Sequence, residues 1–324
     1  MNIAVFTGGN SSEHIISVRS AEQVIGWLSQ SGHHCHPVVV TGSHWMVKDG
    51  STEYPFDKSD FSVALPGGRV RFDCAWIVLH GTPGEDGKLQ GYLDMMGIPY
   101  NSSGLLSSAM TFDKYVCKSF LKQHQVLTPE AVLIRKGTPA DLEQVGERIG
   151  FPCFVKPNNG GSSFGITRVS QTDELEAAIQ AALKEDGEVV VERFIKGTEV
   201  TCGIMKTRRG ERIFPLTEIV SRNEFFDFEA KYTPGMAEEI TPARIEDSLT
   251  QQCQKLASVI YDLTKSSGLV RIDFIIKGNQ VYFLELNSLP GMSAESIVPK
   301  QVQAMGLTMP EVLQELVEDI TFAS

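Results

Sequence analysis

Nowhere is this chain apolar for anything close to the ~20 consecutive residues that a membrane span requires. Its opening residues, Met1-Asn2-Ile3-Ala4-Val5-Phe6, carry neither a basic region nor a long apolar stretch, so no signal peptide is expected. Cysteine is sparse. The six of them (Cys35, Cys74, Cys117, Cys153, Cys202 and Cys253) never fall at Cys-x-x-Cys spacing, which excludes a zinc ribbon or a thioredoxin-type motif. Some lie in apolar runs such as 151–155, where buried free thiols are expected rather than disulfides, and with them a cytoplasmic setting. Positive charge is short as well: 29 Lys and Arg face 40 Asp and Glu, a formal net charge of -11. That argues against a nucleic-acid coat, which needs clustered Lys and Arg, and no nucleic-acid or membrane partner is expected. A nucleotide substrate stays open, because a few local cations beside a metal ion can hold a triphosphate in an acidic protein. Internal repeats and low-complexity tracts are missing too.

What is present is ordinary globular material: 42% hydrophobic and 21% charged residues over 324 positions, enough for two or three domains. A short apolar run at 3–6 leads into Thr7-Gly8-Gly9-Asn10-Ser11-Ser12 and a helical stretch over 13–29. Strands follow at 37–40 and 74–79. Strands separated by helices predict a parallel sheet. A dinucleotide fold begins in the same way, but the loop lacks Gly-x-Gly-x-x-Gly and no acid follows the second strand. Downstream, His80-Gly81-Thr82-Pro83-Gly84-Glu85-Asp86-Gly87 is either a turn-rich connector or a site loop at the carboxyl end of a parallel strand. Residues 101–108, rich in Ser and Gly, read as a domain boundary. A helix is expected over 113–123 and another over 247–266. Residues 226–239 read as a long loop, the candidate lid.

Two runs carry chemistry. In the first, Lys156 ends an apolar strand and precedes Pro157-Asn158-Asn159-Gly160-Gly161-Ser162-Ser163. Glycines there let backbone N–H groups approach phosphate oxygens, and lysine is a compact charge suited to phosphate. The loop is not a Walker A sequence. Lys114, after Asp113, is a second phosphate candidate. In the second, residues 269–287 form two β-rich runs flanking Gly278-Asn279, a hairpin signal. With a three-residue loop, Lys277 opposes Val281 and Asp273 lies opposite Glu285. Arg271 and Asn287 then share their face, while Ile272, Phe274, Ile276, Tyr282, Leu284 and Leu286 form a core face. Opposed carboxylates repel unless a cation lies between them, and oxygen donors suit magnesium. A solvated hairpin face is the alternative, and a two- or four-residue loop would separate the acids.

Together these pieces resemble the D-alanine–D-alanine ligases of the ATP-grasp superfamily. The matching blocks are Ser12-Glu13-His14-x-x-Ser17, His80-Gly-Thr-x-Gly-Glu-Asp-Gly-x-x-Gln90-Gly91, Ile98-Pro99-Tyr100 and Asp113-Lys114-x-x-x-Lys118. They continue with Phe154-Val155-Lys156-Pro157, Gly161-Ser162-Ser163, Val191-Glu192, Glu199 and Glu229-Ala230-Lys231-Tyr232. Arg271-x-Asp273 and Glu285-x-Asn287-x-x-Pro290-Gly291-Met292 complete the set, in family order over nearly the whole chain. The resemblance implies an ATP-grasp α/β fold of three α/β domains: an N-terminal parallel-sheet domain at 1–102, a central ATP-binding domain at 103–192 and a C-terminal domain at 193–324. It implies ATP-dependent joining of two D-alanines through an acyl phosphate, for peptidoglycan biosynthesis.

It also implies roles. Lys114, Lys156 and Lys231 would meet ATP phosphates. Glu192, Arg193 and Ile195 would line the adenine pocket, and Glu199 would hold the ribose. Asp273, Glu285 and Asn287 would ligate two Mg2+ or Mn2+ ions, with K+ a candidate further ion. Glu13 would bind the first D-alanine, linked by Ser162 and Tyr232 to the lid. Arg271 and the Gly291 N–H would stabilise the oxyanion. His80, Ser296 and the Ile297 backbone would serve the substrate. A homodimer is implied. The chain departs from the family where Ile15-Ile16 follow His14 and where Arg193 replaces a usual lysine. Rival readings are a sister ligase using D-lactate or D-serine, a non-catalytic nucleotide-binding module, and an ATP-grasp ligase for another acid.

Overall fold

Three β-sheets follow one another along the chain in the computed structural model, which describes residues 1–9, 14–161, 165–221 and 237–322. The first is built on strand β1 (Asn2–Gly8), which pairs in parallel with β2 (His34–Thr41) and β7 (Cys74–Ile77). Helix α1 (His14–Gln30) connects the first two, burying Ser17, Ser20, Ala21, Val24 and Leu28 at helical spacing. The expected parallel sheet is therefore there, but it is only part of a seven-stranded sheet. Between β2 and β7 lie four antiparallel strands the sequence reading passed over: β3 (His44–Asp49), β4 (Thr52–Asp57), β5 (Ser62–Leu65) and β6 (Gly68–Arg71). Their signal was present in the turns. Gly42 and Gly50, at φ +55° and +60°, each open a two-residue connection that an L side chain would strain.

The expected boundary segment at 101–108 is packed and hydrogen-bonded. Asn101, Ser102 and Ser103 are buried, and the Asn101 side chain accepts from the Ile77 N–H at 2.6 Å. Helix α2 (Lys88–Met96) precedes this segment, and α3 (Leu105–Phe112) starts within it. A single residue, Asp113, separates α3 from α4 (Lys114–Gln123) and caps α4 by accepting from the Val116 N–H at 2.8 Å.

The second sheet has the order β10-β9-β11-β8, from β8 (Ala131–Arg135), β9 (Cys153–Pro157), β10 (Thr167–Val169) and β11 (Glu188–Arg193). One face packs on α5 (Leu142–Ile149) and α6 (Leu175–Ala182). The third comprises β12 (Thr198–Thr207), β13 (Gly210–Ile213), β14 (Thr217–Ser221), β15 (Ala237–Ile240), β16 (Gly268–Lys277) and β17 (Gln280–Asn287). Its apolar face meets α4 and α7 (Asp247–Leu263) through Cys117, Leu121, Cys253, Ala257, Ile260 and Tyr261. Helices α8 (Ile297–Ala304) and α9 (Met309–Phe322) join this unit to α1 and β1 in a common core.

The candidate lid at 226–239 divides: 226–236 lie outside the described residues, and Ala237–Ile240 is strand, paired with β14, not loop. All six cysteines are free thiols. Among the described residues no helix is long and apolar enough to cross a membrane.

Candidate active site

The polar face of the third sheet and the free face of the second enclose a cavity of about 710 Å3. Strand β9 contributes Phe154 and Lys156, β11 contributes Glu192, and Asp273 and Glu285 come from β16 and β17.

Asp273 is paired with Glu285, and Arg271 with Asn287, as the sequence reading expected, but by a different route. The hairpin loop has two residues, not three: Lys277 pairs with Gln280. Left alone, that register would place the acids on opposite faces. A β-bulge between Asp273 and Phe274 adds one residue on β17 and restores the juxtaposition. The core face changes accordingly. Val281 and Phe283 are buried with Ile272, Phe274, Ile276 and Leu286, whereas Tyr282 and Leu284 leave the core and Leu284 lines the cavity. Phe283→Ala is therefore expected to cost about 3–5 kcal/mol of stability by leaving a core void. Leu284→Ala should leave the denaturation midpoint nearly unchanged while weakening ATP binding. Paired denaturant melts and ATP titrations check both, and equal destabilisation would contradict the bulge.

Asp273 is buried and accepts four hydrogen bonds. Arg271 Nε and Nη2 donate at 2.9 and 2.7 Å, Thr201 Oγ1 at 2.5 Å, and Asn287 Nδ2 at 3.1 Å. Burial opposes the Arg271 charge, but Asp273 and then Glu285 hold the guanidinium protonated well above its ordinary range. Arg271 thus clamps the carboxylate instead of standing apart from it. Among the described residues no three His, Cys, Asp or Glu side chains group to hold a metal. The donor set is two opposed carboxylates and an amide whose oxygen and nitrogen ends can exchange places. Such a set fits magnesium or manganese, which take one or two carboxylates and complete their shell with phosphate oxygens and water.

The opposite wall holds a buried trio. Glu192 Oε1 accepts from Lys156 Nζ at 2.9 Å, and Oε2 accepts from Lys118 Nζ. Burial raises the Glu192 carboxyl, and the two ammonium groups outweigh it, so it stays below its ordinary value. Burial pushes Lys118 down to about 8, with Lys156 adding to the fall and Glu192 only partly restoring it. Lys156 is held above its ordinary value because Glu192 outweighs its burial. The adenine-side expectations meet a limit at Arg193. Its Nε and Nη2 donate to the Ile149 and Arg148 carbonyls at 2.8 and 2.9 Å, so the guanidinium caps the C-terminus of α5.

Two models of known families match, one described as D-ala D-ala ligase N-terminus over residues 2–103 and one as D-ala D-ala ligase C-terminus over 121–318. The chain belongs to the D-alanine–D-alanine ligase family. The D-alanine–D-alanine ligase of Azobacteroides pseudotrichonymphae is 46% identical over 98% of this chain and 99% of its own length. That of Bacteroides fragilis is 46% identical over 98% of each. Among solved structures, D-alanyl-alanine synthetase A from Vibrio cholerae aligns at TM-score 0.89 with 26% identity over 99% of this chain and 98% of its own. The Bacillus anthracis ligase complexed with ATP aligns at 0.80 with 28% identity over 100% and 98%. The VanG D-Ala:D-Ser ligase of Enterococcus faecalis aligns at 0.86 with 30% identity over 98% of each chain. The fold is the ATP-grasp α/β architecture of these neighbours.

Within the ligase frame, Lys156, Glu192, Arg193, Ile195, Glu199, Arg271, Asp273, Glu285 and Ile297 border the cavity. Lys114 does not border it; its Nζ donates to the Gly160 carbonyl and ties α4 to the glycine loop. Glu13, Ser162, Lys231 and Tyr232 lie outside the described residues. Ser296 stands at the N-cap position of α8 without a side-chain cap bond; its hydroxyl accepts from the Ser293 N–H at 3.1 Å, beside Gly291. His80 is buried, with its backbone N–H donating to Ser17 Oγ at 3.0 Å. The His80–Gly87 loop is held by its own acids, Glu85 on the Gly81 N–H at 2.7 Å and Asp86 on the Thr82 hydroxyl at 2.6 Å. Gly84 has no room for a side chain: a Cβ would stand 1.9 Å from the Leu79 carbonyl oxygen. Gly84→Ala is expected to displace this loop and lower both stability and activity, seen as a lower melting temperature with a raised KM for D-alanine. An unperturbed variant would show the loop to be an inert connector. Sequence reading missed Thr201, which no motif marks and which becomes visible only through strand pairing.

Proposed function

We propose that this chain joins two D-alanines at the expense of ATP, through an acyl phosphate, to supply D-alanyl-D-alanine for peptidoglycan. The observation that carries the reading is the meeting, in one cavity, of Lys156 on one sheet with the Asp273–Glu285 pair on the next. Three sheets in sequence also support three units at 1–102, 103–192 and 193–324.

ATP lies between the second and third sheets. Glu192, Ile195 and the Arg193 backbone border the adenine, Glu199 holds the ribose, and Lys156 meets the phosphates, joined by Lys231 from the lid. Lys114 shapes the glycine loop around them. Asp273, Glu285 and Asn287 would hold two magnesium or manganese ions, which supply neutralisation of the triphosphate charge when bound. The first D-alanine, its ammonium on Glu13, attacks the γ-phosphorus with its carboxylate. The bond to the ADP oxygen breaks and an acyl phosphate forms. The second D-alanine, its carboxylate at the N-terminus of α8 on Ser296 and the Ile297 N–H, attacks the acyl carbon with its amine. Arg271 and the Gly291 N–H stabilise the oxyanion. Phosphate leaves, the amine gives up its proton, and the dipeptide remains. Ser162 and Tyr232 would link Glu13 to the lid that keeps water from the acyl phosphate, and His80 would serve the substrate. The implied homodimer and potassium ion belong to this reading.

The test is ATP- and magnesium-dependent phosphate release with D-alanine, D-serine and D-lactate as second substrate. D-Alanine is expected to dominate at neutral pH. Preference for D-serine or D-lactate would move the chain to a sister activity, and ATP binding without turnover would make it a binding module.

A further inference from the structure

Lys118 sits one helical turn beyond Lys114 on α4 and takes no part in the mechanism above. Yet its placement is costly. The side chains of Lys118 and Glu192 are each 4% exposed, and that of Lys156 12%. Lys156 and Glu192 border the cavity, whereas Lys118 reaches Glu192 from α4, behind the cavity wall. One carboxylate is thus shared by two lysines, one oxygen to each. A buried ion pair seldom stabilises more than apolar side chains of the same volume would, so a purely structural role gives little reason for a second buried lysine.

The charge arithmetic gives one. With Lys156 alone, Glu192 would form a closed, neutral pair and cancel the cation that faces the triphosphate. With Lys118 on the other oxygen, the trio carries a net positive charge whose exposed end is Lys156. We propose that Lys118 is a positioning residue for ATP: it neutralises Glu192 from behind and leaves the charge of Lys156 directed at the phosphates. The inference rests on the reading above that Lys156 meets ATP phosphate. The low value of about 8 for Lys118 agrees with a charge kept against the preference of its burial.

Lys118→Met and Lys118→Arg test it in the full chain. Charged hydrogen bonds are worth ~1.5–3 kcal/mol, so Lys118→Met is expected to raise the KM and Kd for ATP roughly tenfold or more. Its kcat at saturating ATP and its KM for D-alanine should stay close to wild type, while its melting temperature falls because Glu192 Oε2 loses a buried partner. Lys118→Arg keeps the charge and should hold the ATP KM to within about threefold of wild type. A merely structural lysine would lower the melting temperature and the active fraction while the ATP KM stays put. That pattern overturns the proposal, as does an arginine variant as weak in ATP as the methionine one. If Lys118→Met does not fold, Lys118→Gln, which can still donate to Glu192 but lacks the charge, decides in the same way. Should the wild type release no phosphate with D-alanine, the functional reading fails, and calorimetric ATP affinities of the same variants still decide the role of Lys118.

Discussion

Glu285→Ala is expected to lower kcat/KM for D-alanine-dependent phosphate release by about a thousandfold, and Asp273→Ala by at least as much. The two carboxylates face each other across a strand pair that exists in this register only because of the bulge, on the cavity wall opposite the phosphate lysine. Removing either leaves an incomplete oxygen set for a divalent ion. The variants should differ in stability. Asp273 is the bidentate partner of a partly buried Arg271, so its loss strands a guanidinium and is expected to cost about 3 kcal/mol. Glu285→Ala should cost clearly less. Phosphate release and urea denaturation, run side by side, separate the effects. Full activity in either variant would remove the metal assignment.

Glu192→Ala should destabilise the fold about as much as Asp273→Ala. It leaves Lys118 and Lys156 buried against each other with no anion between them, a loss of about 3–5 kcal/mol read from the denaturation midpoint, together with lost ATP binding. The pH dependence has a definite sign. Glu192 is held below its ordinary carboxyl value in the folded chain, so its contribution is fully present above the unfolded value. It fades as pH falls through the lower folded value. Wild type should therefore lose stability on acidification below about pH 4.5 more steeply than Glu192→Gln, which has no proton to take up there. Parallel slopes would mean that Glu192 is not ionised in the fold.

Much of this was legible in the residues. The apolar periodicities marked β1, α1, α2, α4, β9, α7, β16 and β17, because each buries one face whose spacing is written locally. The family blocks picked out Lys156, Glu192, Asp273 and Glu285, which border one cavity, since a strand lysine before a glycine loop and a carboxylate hairpin keep their spacing along the chain. The meander β3 to β6 was missed because its strands are short and half-exposed, with alternation too weak to stand out; only its glycine turns announced it.

What tertiary structure alone decided is how the hairpin meets its task. By itself the sequence determined that Asp273, Glu285 and Asn287 lie on adjoining strands of one β-hairpin. It could not determine that they share a face, because the two-residue loop argues the opposite and a bulge has no local signature in this run. Packing decided it: Phe283 rather than Leu284 joins the core shared with α4 and α7, and the register follows the side chain that is buried. In the same way, the sequence supplied Lys118, Lys156 and Glu192 on three separate segments, but only the approach of α4 to β11 made them one charge group. Charges separated by many residues interact through distance in space, and that distance is a property of the folded chain.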